Sequence, residues 1–347
     1  MIKVISAGIQ TSIQDLGRLG HRQHGVAQSG ALDYVAMTQA NYLLGNEAHE
    51  ATIEIAIGAV ELLAQTNSYI TVVGNYTAIT LTPRRGNIIP IRSGQVLKLE
   101  NGDHLTIHAK GQFNRCYLAL QGGIDVPSIM GSRSTDIAAG FGGLDGRCIQ
   151  AHDTICSRPS NTSPLPQPSA ATATNITASI INSRFAKPDQ AGHTIRVIPG
   201  PEYPCLSVLS QQQLWQSDWQ ISTESNRMAC RLMDSTQDNT AHLQTLKLAD
   251  EQSSLSHGMP SHAVIPGTIQ LPPQGMPIIL LADCQTTGGY PRIGSVIEAD
   301  LWRLAQMPIS SLFRLVECDR PSAIKALQQQ QQSLYRFKMA CLQAKLT

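Results

Sequence analysis

The sequence predicts a mainly β protein in two parts, with a few helices that include one at the C-terminus. Three observations support this fold class. Turn signals recur roughly every 8–12 residues between short apolar segments, which favours barrels or sandwiches over βαβ units. A segment rich in Pro, Ser and Thr, residues 157–177, interrupts the 347-residue chain, and one long helical pattern closes it. A chain of this length has about two domains at ordinary domain sizes.

Five segments rich in β-branched and aromatic residues are predicted to be strands. The first, residues 69–81, is interrupted at Gly74-Asn75. Residues 96–108 are predicted to form a hairpin around Asn101-Gly102, because this dipeptide suits the tight turn between paired strands. The remaining strand predictions are residues 115–120, 194–198 and 277–282.

Three segments show helical signals. The first, residues 32–44, ends at the stop signal Gly45-Asn46. A shorter helix is predicted at residues 206–215. The clearest helix begins at Pro321, which the first helical turn tolerates, and its apolar side chains fall near helical spacing as far as residue 346. Five consecutive glutamines inside it, residues 328–332, are interpreted as a solvated helix face.

These elements predict four regions. An N-terminal β-rich domain covers residues 1–156, a second β domain covers residues 194–319, and the closing helix covers residues 320–347. Residues 157–193 are predicted to be a linker or a long surface loop. The Pro-, Ser- and Thr-rich part of that region has hardly any large apolar side chains, so it cannot bury enough surface to offset its ordering entropy.

Composition argues against several classes of function. Lys and Arg total 26 and Asp and Glu total 25, and Arg84-Arg85 is the only tight basic pair, so we predict no nucleic-acid partner. No apolar run suits a signal peptide or approaches the ~20 residues that span a bilayer, which predicts a cytoplasmic protein with no membrane partner. The eight cysteines form no CxxC pair and the ten histidines show no zinc spacing, so we expect reduced thiols and no metal site.

Two glycine-rich segments contain residue types that bind anions. Residues 14–33 combine glycines with carboxylates and arginines, and an arginine offers a fork that suits carboxylate or phosphate. Residues 121–149 contain seven glycines, and loops of this kind can cradle an anion through backbone N–H groups. The second segment matches neither a Walker A loop nor a dinucleotide-binding fingerprint. Ordinary turn structure remains the alternative for both segments.

A third segment, residues 264–301, favours function over an ordinary turn. An apolar strand at residues 278–281 leads directly into polar and glycine residues, which is a common way to build a site on a rigid scaffold. A weaker signal lies at residues 225–232, where Arg227 and Arg231 share one face of either a helix or a strand. No GxSxG, HExxH, kinase or EF-hand signature is present, and no Met-Lys-Met tripeptide marks a biotin site.

Six ordered segments together resemble the 5-oxoprolinase C-subunit family, also called the allophanate hydrolase subunit 2 or biotin-dependent carboxyltransferase-like family. They are QDLGRLGHRQHGVAQSGALD, GGIDVPSIMGSRST, GGLDGR, NRMACRL, VIPGTIQLPPQG and ADCQTTGGYPRIG. The resemblance runs from residue 1 to about residue 317. It implies similarity to the second half of the urea carboxylase carboxyltransferase domain, and a cyclophilin-like β-barrel architecture.

The sequence also departs from the family's usual pattern at four positions. His262 stands where an acidic residue is usual, and Cys284 stands where an arginine is usual. Asn226 and Ala229 replace the usual aspartate and glycine that flank the Arg-Met pair. These changes remove a fixed cation and an anion, which raises the alternative of a diverged function.

The resemblance implies one component of an enzyme complex that also contains the B and A subunits of 5-oxoprolinase. Such a complex converts 5-oxoproline to glutamate with hydrolysis of ATP, with Mg as its companion ion, and ATP could activate the small-molecule amide by phosphorylating its oxygen. On this reading the catalytic candidates are Asp15, Asp33, Arg133 and Gln285. The candidates for binding substrate or ATP are Gln14, Arg18, Ser29, Ser134, Thr135, Arg227, Arg231, Gln270, Thr286, Thr287, Gly288, Gly289, Tyr290 and Arg292.

Two other functions remain open from the sequence. One is a carboxyltransferase component that moves CO₂ between a small amide and biotin, which another chain would carry. The other is a regulatory partner of the B subunit without catalysis, of the type that antagonises a kinase inhibitor.

Overall fold

The computed structural model describes residues 1–75, 78–108, 115–159, 193–234, 245–250 and 259–343. Contacts divide the chain into two compact units that interleave along the sequence. The first comprises Met1–Arg18, Ser29–Lys187 and Gln331–Thr347, and the second comprises Leu19–Gln28 and Pro188–Gln330. These units differ from the predicted domain boundaries at the Leu19–Gln28 segment and within the closing helix. Most of the predicted linker, residues 160–192, lies outside the described residues.

The described part of the first unit contains two antiparallel sheets. Hydrogen bonds order their strands as β11-β1-β4-β9-β6-β7 and β2-β3-β10-β5-β8. In chain order the strands are Ile2–Ala7 (β1), Gln10–Gln14 (β2), Thr52–Ile57 (β3), Ala59–Ala64 (β4), Ser68–Gly74 (β5), Ala78–Thr82 (β6), Ile89–Pro90 (β7), Val96–Leu99 (β8), His104–His108 (β9), Cys116–Leu120 (β10) and Thr154–Ile155 (β11). Side chains from both sheets, including Val4, Leu62, Ile53 and Leu118, form one buried apolar core.

The predicted hairpin around Asn101-Gly102 is wrong, although both of its strands exist. Strand β8 pairs with β5 in one sheet, whereas β9 pairs with β4 and β6 in the other. The turn therefore carries the chain from sheet to sheet. Asp103 holds it, because its carboxylate accepts backbone N–H bonds from Arg84 and Glu100. Local turn chemistry located the turn, but the shared core decides which strands pair.

A helix at Tyr34–Leu44 (α1) confirms the first helix prediction. Asp33 caps its start, since the carboxylate accepts hydrogen bonds from the backbone of Val35 and Ala36. Gly45 ends it in the left-handed conformation, at φ 74°, which glycine adopts without steric cost. Its buried face packs with Val73 of β5 and Tyr117 of β10 in a second apolar cluster.

The second unit contains a closed barrel, which confirms the mainly β prediction. Within its described residues the strand order is β12-β19-β16-β17-β14-β13-β20. The strands are His193–Pro199 (β12), Trp219–Ile221 (β13), Ala229–Asp234 (β14), Thr268–Gln270 (β16), Ile278–Leu280 (β17), Arg292–Val296 (β19) and Leu312–Glu317 (β20), and a separate ribbon pairs His262–Ala263 (β15) with Thr287–Gly288 (β18). Closure gives each barrel strand a hydrogen-bonded neighbour on both sides.

Alternate residues of the barrel strands face its interior. Ile195 and Val197 of β12 and Phe313 and Leu315 of β20 are fully buried, and β12 pairs with β20 in parallel. Of the residues between them, Arg314 is exposed and Arg196 is half-buried. This period-two pattern is the one that a half-buried strand requires.

The remaining helices are Val208–Gln216 (α2), Glu298–Leu304 (α3) and Arg320–Gln343 (α4). Helices α2 and α4 were predicted, and α3 was not. Phe337 and Ala326 lie on the buried face of α4, and most of its glutamine run is exposed, as expected. Among the helices in the described ranges, none combines the length and the apolar character needed to cross a bilayer.

Candidate functional site

In the first unit, Asp15 is the centre of a buried hydrogen-bond cluster. Its Oδ1 accepts bonds from the hydroxyls of Ser132 and Ser134, each at 2.6 Å, and from the backbone of Gly17 at 2.8 Å. Its Oδ2 accepts the backbone N–H of Arg133 at 2.5 Å. The carboxylate thus ties residues 14–18 to residues 131–136 of the glycine-rich segment 121–149. Residues 131–136 are called the glycine-rich loop below. Its contacts favour a structural role, and its catalytic role stays a prediction.

Arg18 and Gln14 are buried in the same cluster. The Arg18 guanidinium donates to the carbonyl oxygens of Ile129 and Ser134 and stacks 4.6 Å from the centre of the Phe141 ring. The Gln14 amide donates to Ser12 and to the carbonyl of Thr135 and accepts from Gly30. Both side chains hold neighbouring loops in place, so their predicted ligand contacts would compete with these bonds.

Ser29, Ser134 and Thr135 differ in their surroundings. The Thr135 hydroxyl donates to the carbonyl of Ile13, and Ser134 is bound to Asp15. Ser29 is buried at φ 54°, and its hydroxyl has no hydrogen-bond partner among the described residues. Of these three, Ser29 keeps hydrogen-bonding capacity for another group.

The Arg133 guanidinium keeps hydrogen-bond donors available for a ligand. It is half-buried, and its Nε donates to the carbonyl of Val126 at 3.1 Å. The Nε hydrogen bond of its guanidinium goes to this carbonyl oxygen rather than to a carboxylate. Its predicted role as an anion binder is therefore compatible with the structure.

Asp33 belongs to a second buried network in the first unit. Its backbone N–H donates to the Tyr117 hydroxyl, which in turn donates to Glu54 at 2.7 Å. Arg115 pairs with the same Glu54 carboxylate at 3.2 Å. Burial, followed by the nearby Glu54 charge, raises the pKa of Tyr117 well above its ordinary value, so the phenol stays neutral and donates. The Asp33 side chain also caps α1, so its contacts favour a structural role.

In the second unit, Arg227 and Asp283 form a buried bidentate ion pair. Arg227 Nε lies 2.8 Å from Asp283 Oδ2, and Nη2 lies 2.9 Å from Oδ1. The side chains are 3% and 7% exposed, so water does little to solvate or screen either charge. The pair joins the start of β14 to the loop that follows β17. It anchors the residue that precedes Cys284-Gln285.

Arg22 holds the next part of this loop and was not among the predicted site residues. Its Nη2 donates to the carbonyl oxygens of Val264 at 2.6 Å and Gln285 at 2.7 Å, and lies 3.7 Å from Cys284 Sγ. Burial raises the pKa of the Cys284 thiol despite the lowering effect of Arg22, so the thiol stays protonated. Arg22 places a cation beside the position where the family usually has an arginine.

Arg292, which follows the same loop at the start of β19, forms a third ion pair with Glu202. Two side-chain hydrogen bonds of 2.9 and 3.0 Å join them, and the Arg292 backbone N–H adds a third at 2.8 Å. His262 lies near enough to Glu202 to act on its charge. Arg292 is thus committed to a carboxylate within the protein.

This pair predicts a specific pH dependence. Burial raises the pKa of Glu202, but the hydrogen bonds from Arg292 outweigh it and leave the pKa below its ordinary value. A carboxylate with a lowered folded-state pKa stabilises above its unfolded-state pKa and loses that contribution as the pH falls through the folded-state value. We expect Glu202→Gln to lower stability at neutral pH, and this deficit to shrink below about pH 4.

The measurement is a series of urea midpoints from tryptophan fluorescence, taken between neutral and acidic pH. All three tryptophans, Trp215, Trp219 and Trp302, belong to the second unit, so the signal reports on the unit that contains the pair. Parallel curves for the wild type and Glu202→Gln would contradict the prediction.

The tip of the loop combines exposed polar groups with a tightly packed glycine. Gln285, Thr287 and Tyr290 are exposed, and Thr286 is half-buried. Gly288 lies against the buried amide of Gln270, so that a Cβ at this position would collide with Gln270 Nε2. Gly289 accepts a backbone bond from Met259. The loop therefore offers an amide and two hydroxyls at a rigid location.

Arg231 lies apart from these contacts. It belongs to β14, is 48% exposed, and lies 3.9 Å from Glu224. An exposed pair of this kind contributes little. The predicted site residues therefore fall into two groups, one in each unit.

The sequence interpretation missed three kinds of residue. It omitted Arg22 from the binding candidates, although Arg22 lies in a segment that it singled out. It treated His262 only as a departure from a family pattern. It gave no role to Glu54, whose partners are far away in sequence and share no local motif.

Two features bear on whether this chain holds a metal ion or the phosphates of ATP. No group of three or more His, Cys, Asp or Glu side chains in the described ranges is arranged to hold a metal ion. The backbone N–H groups of the glycine-rich loop are engaged within the protein: Ser132 bonds Ile129, Ser134 bonds Ser132, and Thr135 bonds Ile13. These three N–H groups are therefore not available to form a backbone cradle for a phosphate.

The sequence matches the family described as carboxyltransferase domain, subdomain A and B, over residues 24–317. It is 37% identical over 331 residues to the C subunit of 5-oxoprolinase from Escherichia coli, covering 95% of this chain and 96% of that protein. It is 32% identical over 329 residues to the C subunit of 5-oxoprolinase from Haemophilus influenzae, covering 94% of each.

Among solved structures, the chain is similar to urea amidolyase from Kluyveromyces lactis, with a TM-score of 0.83 and 26% identity. The similarity covers 97% of this chain and 20% of that longer protein. The chain therefore spans about a fifth of the urea amidolyase, and the similarity concerns that region alone.

Proposed function

The chain belongs to the 5-oxoprolinase C-subunit family, within the carboxyltransferase domain family with subdomains A and B, and from that premise we propose that it is the C subunit of an ATP-dependent 5-oxoprolinase. In the proposed reaction the complex hydrolyses 5-oxo-L-proline to L-glutamate. The observation that supports this most strongly is similarity along nearly the whole chain to two proteins that bear this name.

Opening a lactam by hydrolysis requires a more reactive carbonyl than an amide provides. ATP bound in the assembled complex would supply that activation by phosphorylating the amide oxygen. The proposed task of this chain is to bind and orient the amide. Gln285, Thr286 and Thr287 present suitable donors and acceptors on a loop that the Arg227–Asp283 pair holds in place.

The proposed partners are the A and B subunits of the same organism, and the proposed compartment is the cytoplasm. Because backbone N–H groups of the glycine-rich loop are already bonded within the protein, the proposed binding site for ATP lies on another subunit of the complex. Within this chain, Arg133 remains a candidate contact to an anion of a partner-bound substrate.

The test is coexpression of this chain with the A and B subunits, followed by an assay of ATP-dependent glutamate release from 5-oxoproline. We expect release from the complex of all three proteins and none above background when this chain is omitted. Arg314→Gln is the matched control, because Arg314 is exposed on β20 and, among the described residues, pairs with the half-buried Asp218. Equal glutamate release without this chain would refute the proposal.

A second candidate function is a carboxyltransferase component. It is favoured by the structural similarity to urea amidolyase and by the carboxyltransferase description of the family. Biotin would be carried by another chain. Copurification with a biotinylated protein, with transfer of labelled CO₂ from biotin to a small amide, would favour this function. A complex that assembles but shows neither activity would favour a regulatory role.

A further inference from the structure

Three buried nitrogen atoms in the second unit have no hydrogen-bond partner among the residues that the structure describes. They are Arg22 Nη1, His262 Nε2 and Gln270 Nε2, and they are all of the buried unpartnered side-chain atoms in the part of this unit that the structure describes. Proteins seldom leave buried polar groups without a partner, because desolvation is then uncompensated. Three such atoms beside one loop give it hydrogen-bonding capacity that a bound group could satisfy.

All three side chains border the same loop. The other terminal nitrogen of Arg22 is bonded to the carbonyl of Gln285. His262 pairs with Gly288 across the β15–β18 ribbon. The Gln270 amide lies directly against Gly288, where a Cβ would collide with it. The three residues thus border the loop at Gln285 and Gly288.

The side chains are also held in place before any ligand binds. Arg22 is fixed by Val264 and Gln285 through Nη2, which leaves Nη1 available. Gln270 lies on barrel strand β16 and is 2% exposed. His262 is oriented by its Nδ1, which lies 3.2 Å from the carbonyl of Pro260. Preorganised groups lose little entropy on binding, so they contribute efficiently to affinity.

The hydrogen-bonding capacities of the three atoms differ. Arg22 Nη1 is a cationic donor, and Gln270 Nε2 is a neutral donor. Because a carbonyl can only accept, His262 Nδ1 carries the hydrogen that faces Pro260, and in the neutral ring Nε2 is then an acceptor. The set requires an anionic oxygen, a carbonyl oxygen and an N–H group.

We propose that Arg22, His262 and Gln270 form the recognition subsite for a cyclic amide that carries a carboxylate. Arg22 binds the carboxylate, Gln270 donates to the lactam carbonyl, and His262 accepts the lactam N–H. The proposal rests on the proposed function and names the residues that select its substrate. Gly288 contributes by lacking a side chain, because a Cβ at this position would occupy the space beside the Gln270 amide.

The test uses the full-length chain assembled with its A and B subunits. Dissociation constants for 5-oxoproline and for 2-pyrrolidinone, which lacks the carboxylate, are measured by ligand-observed NMR, and KM and kcat are measured by glutamate release. We expect Arg22→Gln to weaken 5-oxoproline binding by about tenfold to a hundredfold and to leave 2-pyrrolidinone binding within about twofold. Arg22→Lys is expected to restore part of the loss.

Gln270→Met removes the donor while keeping the length of the side chain. We expect it to weaken both ligands by about two- to tenfold and to raise the thermal midpoint by about 2–4 °C, since an unpartnered buried donor is removed. A purely structural role for Gln270 predicts a lower midpoint instead. Gln220→Met and Arg314→Gln are the matched controls, because both side chains lie on other strands of the barrel.

The outcomes separate the subsite from the proposed function. If wild-type complex releases glutamate but KM and binding are unchanged in Arg22→Gln and Gln270→Met, the subsite is refuted and the function stands. If wild-type complex releases no glutamate, the function fails, and binding alone decides the subsite. Binding that both variants weaken as expected supports it, whereas absent or unchanged binding overturns it.

Discussion

Asp15→Ala is expected to destabilise the first unit by about 3–5 kcal/mol, because four donors lose a buried anionic acceptor together. The two serine hydroxyls and the two backbone N–H groups that converge on this carboxylate have no alternative acceptor of equal strength. Typical domains have only about 5–15 kcal/mol of stability, so this is a large share of the total.

Hydrogen exchange read by mass spectrometry is the appropriate measurement for Asp15→Ala. The tryptophans all belong to the second unit and would not report on the change. Loss of protection should concentrate in β2 and in the 131–136 loop. Asp125→Ala is the matched control, because Asp125 is exposed in the same unit. Wild-type protection combined with loss of activity would instead support the catalytic role predicted for Asp15.

Arg227→Met is expected to cost about 3–5 kcal/mol in the second unit. Removal of one partner leaves the Asp283 carboxylate buried without its cation, and that uncompensated charge is the source of the penalty. The double variant Arg227→Met, Asp283→Leu should recover most of the loss, because apolar side chains of similar size can replace a buried pair at little cost.

Tryptophan fluorescence in a urea titration measures this second prediction directly. The single variant should shift the midpoint strongly, and the double variant should return it close to the wild-type value. Arg314→Gln serves as the control for loss of an exposed arginine charge. An equal loss in the single and double variants would show that the two charges do not stabilise the unit by pairing with each other.

The results for Asp15 and Arg227 would also show which predicted residues remain candidates for catalysis or ligand binding. Asp15 was attractive from sequence because it lies among glycines and arginines, and Arg227 because it shares one face with Arg231. If both prove to act through stability, the predicted candidates that keep unused hydrogen-bonding capacity are Arg133 and Ser29 in the first unit and Gln285, Thr287 and Gln270 in the second.

Much of the fold follows from local sequence signals. Segments rich in β-branched and aromatic residues predicted the strands, and the stop signal Gly45-Asn46 predicted the end of α1, because these signals depend on neighbours in the chain. The hairpin around Asn101-Gly102 failed for the converse reason. Both strands formed, but each bonded to a strand far away in sequence.

The sequence by itself determined part of the secondary structure, the family and the three segments rich in polar and glycine residues. Only the tertiary structure decided which charges are already used. It pairs Arg227 with Asp283 and Arg292 with Glu202, and it brings Arg22 to Cys284 from a position 262 residues away. The physical reason is that a motif shows which groups are present, whereas burial and distance determine whether another part of the protein has already satisfied them.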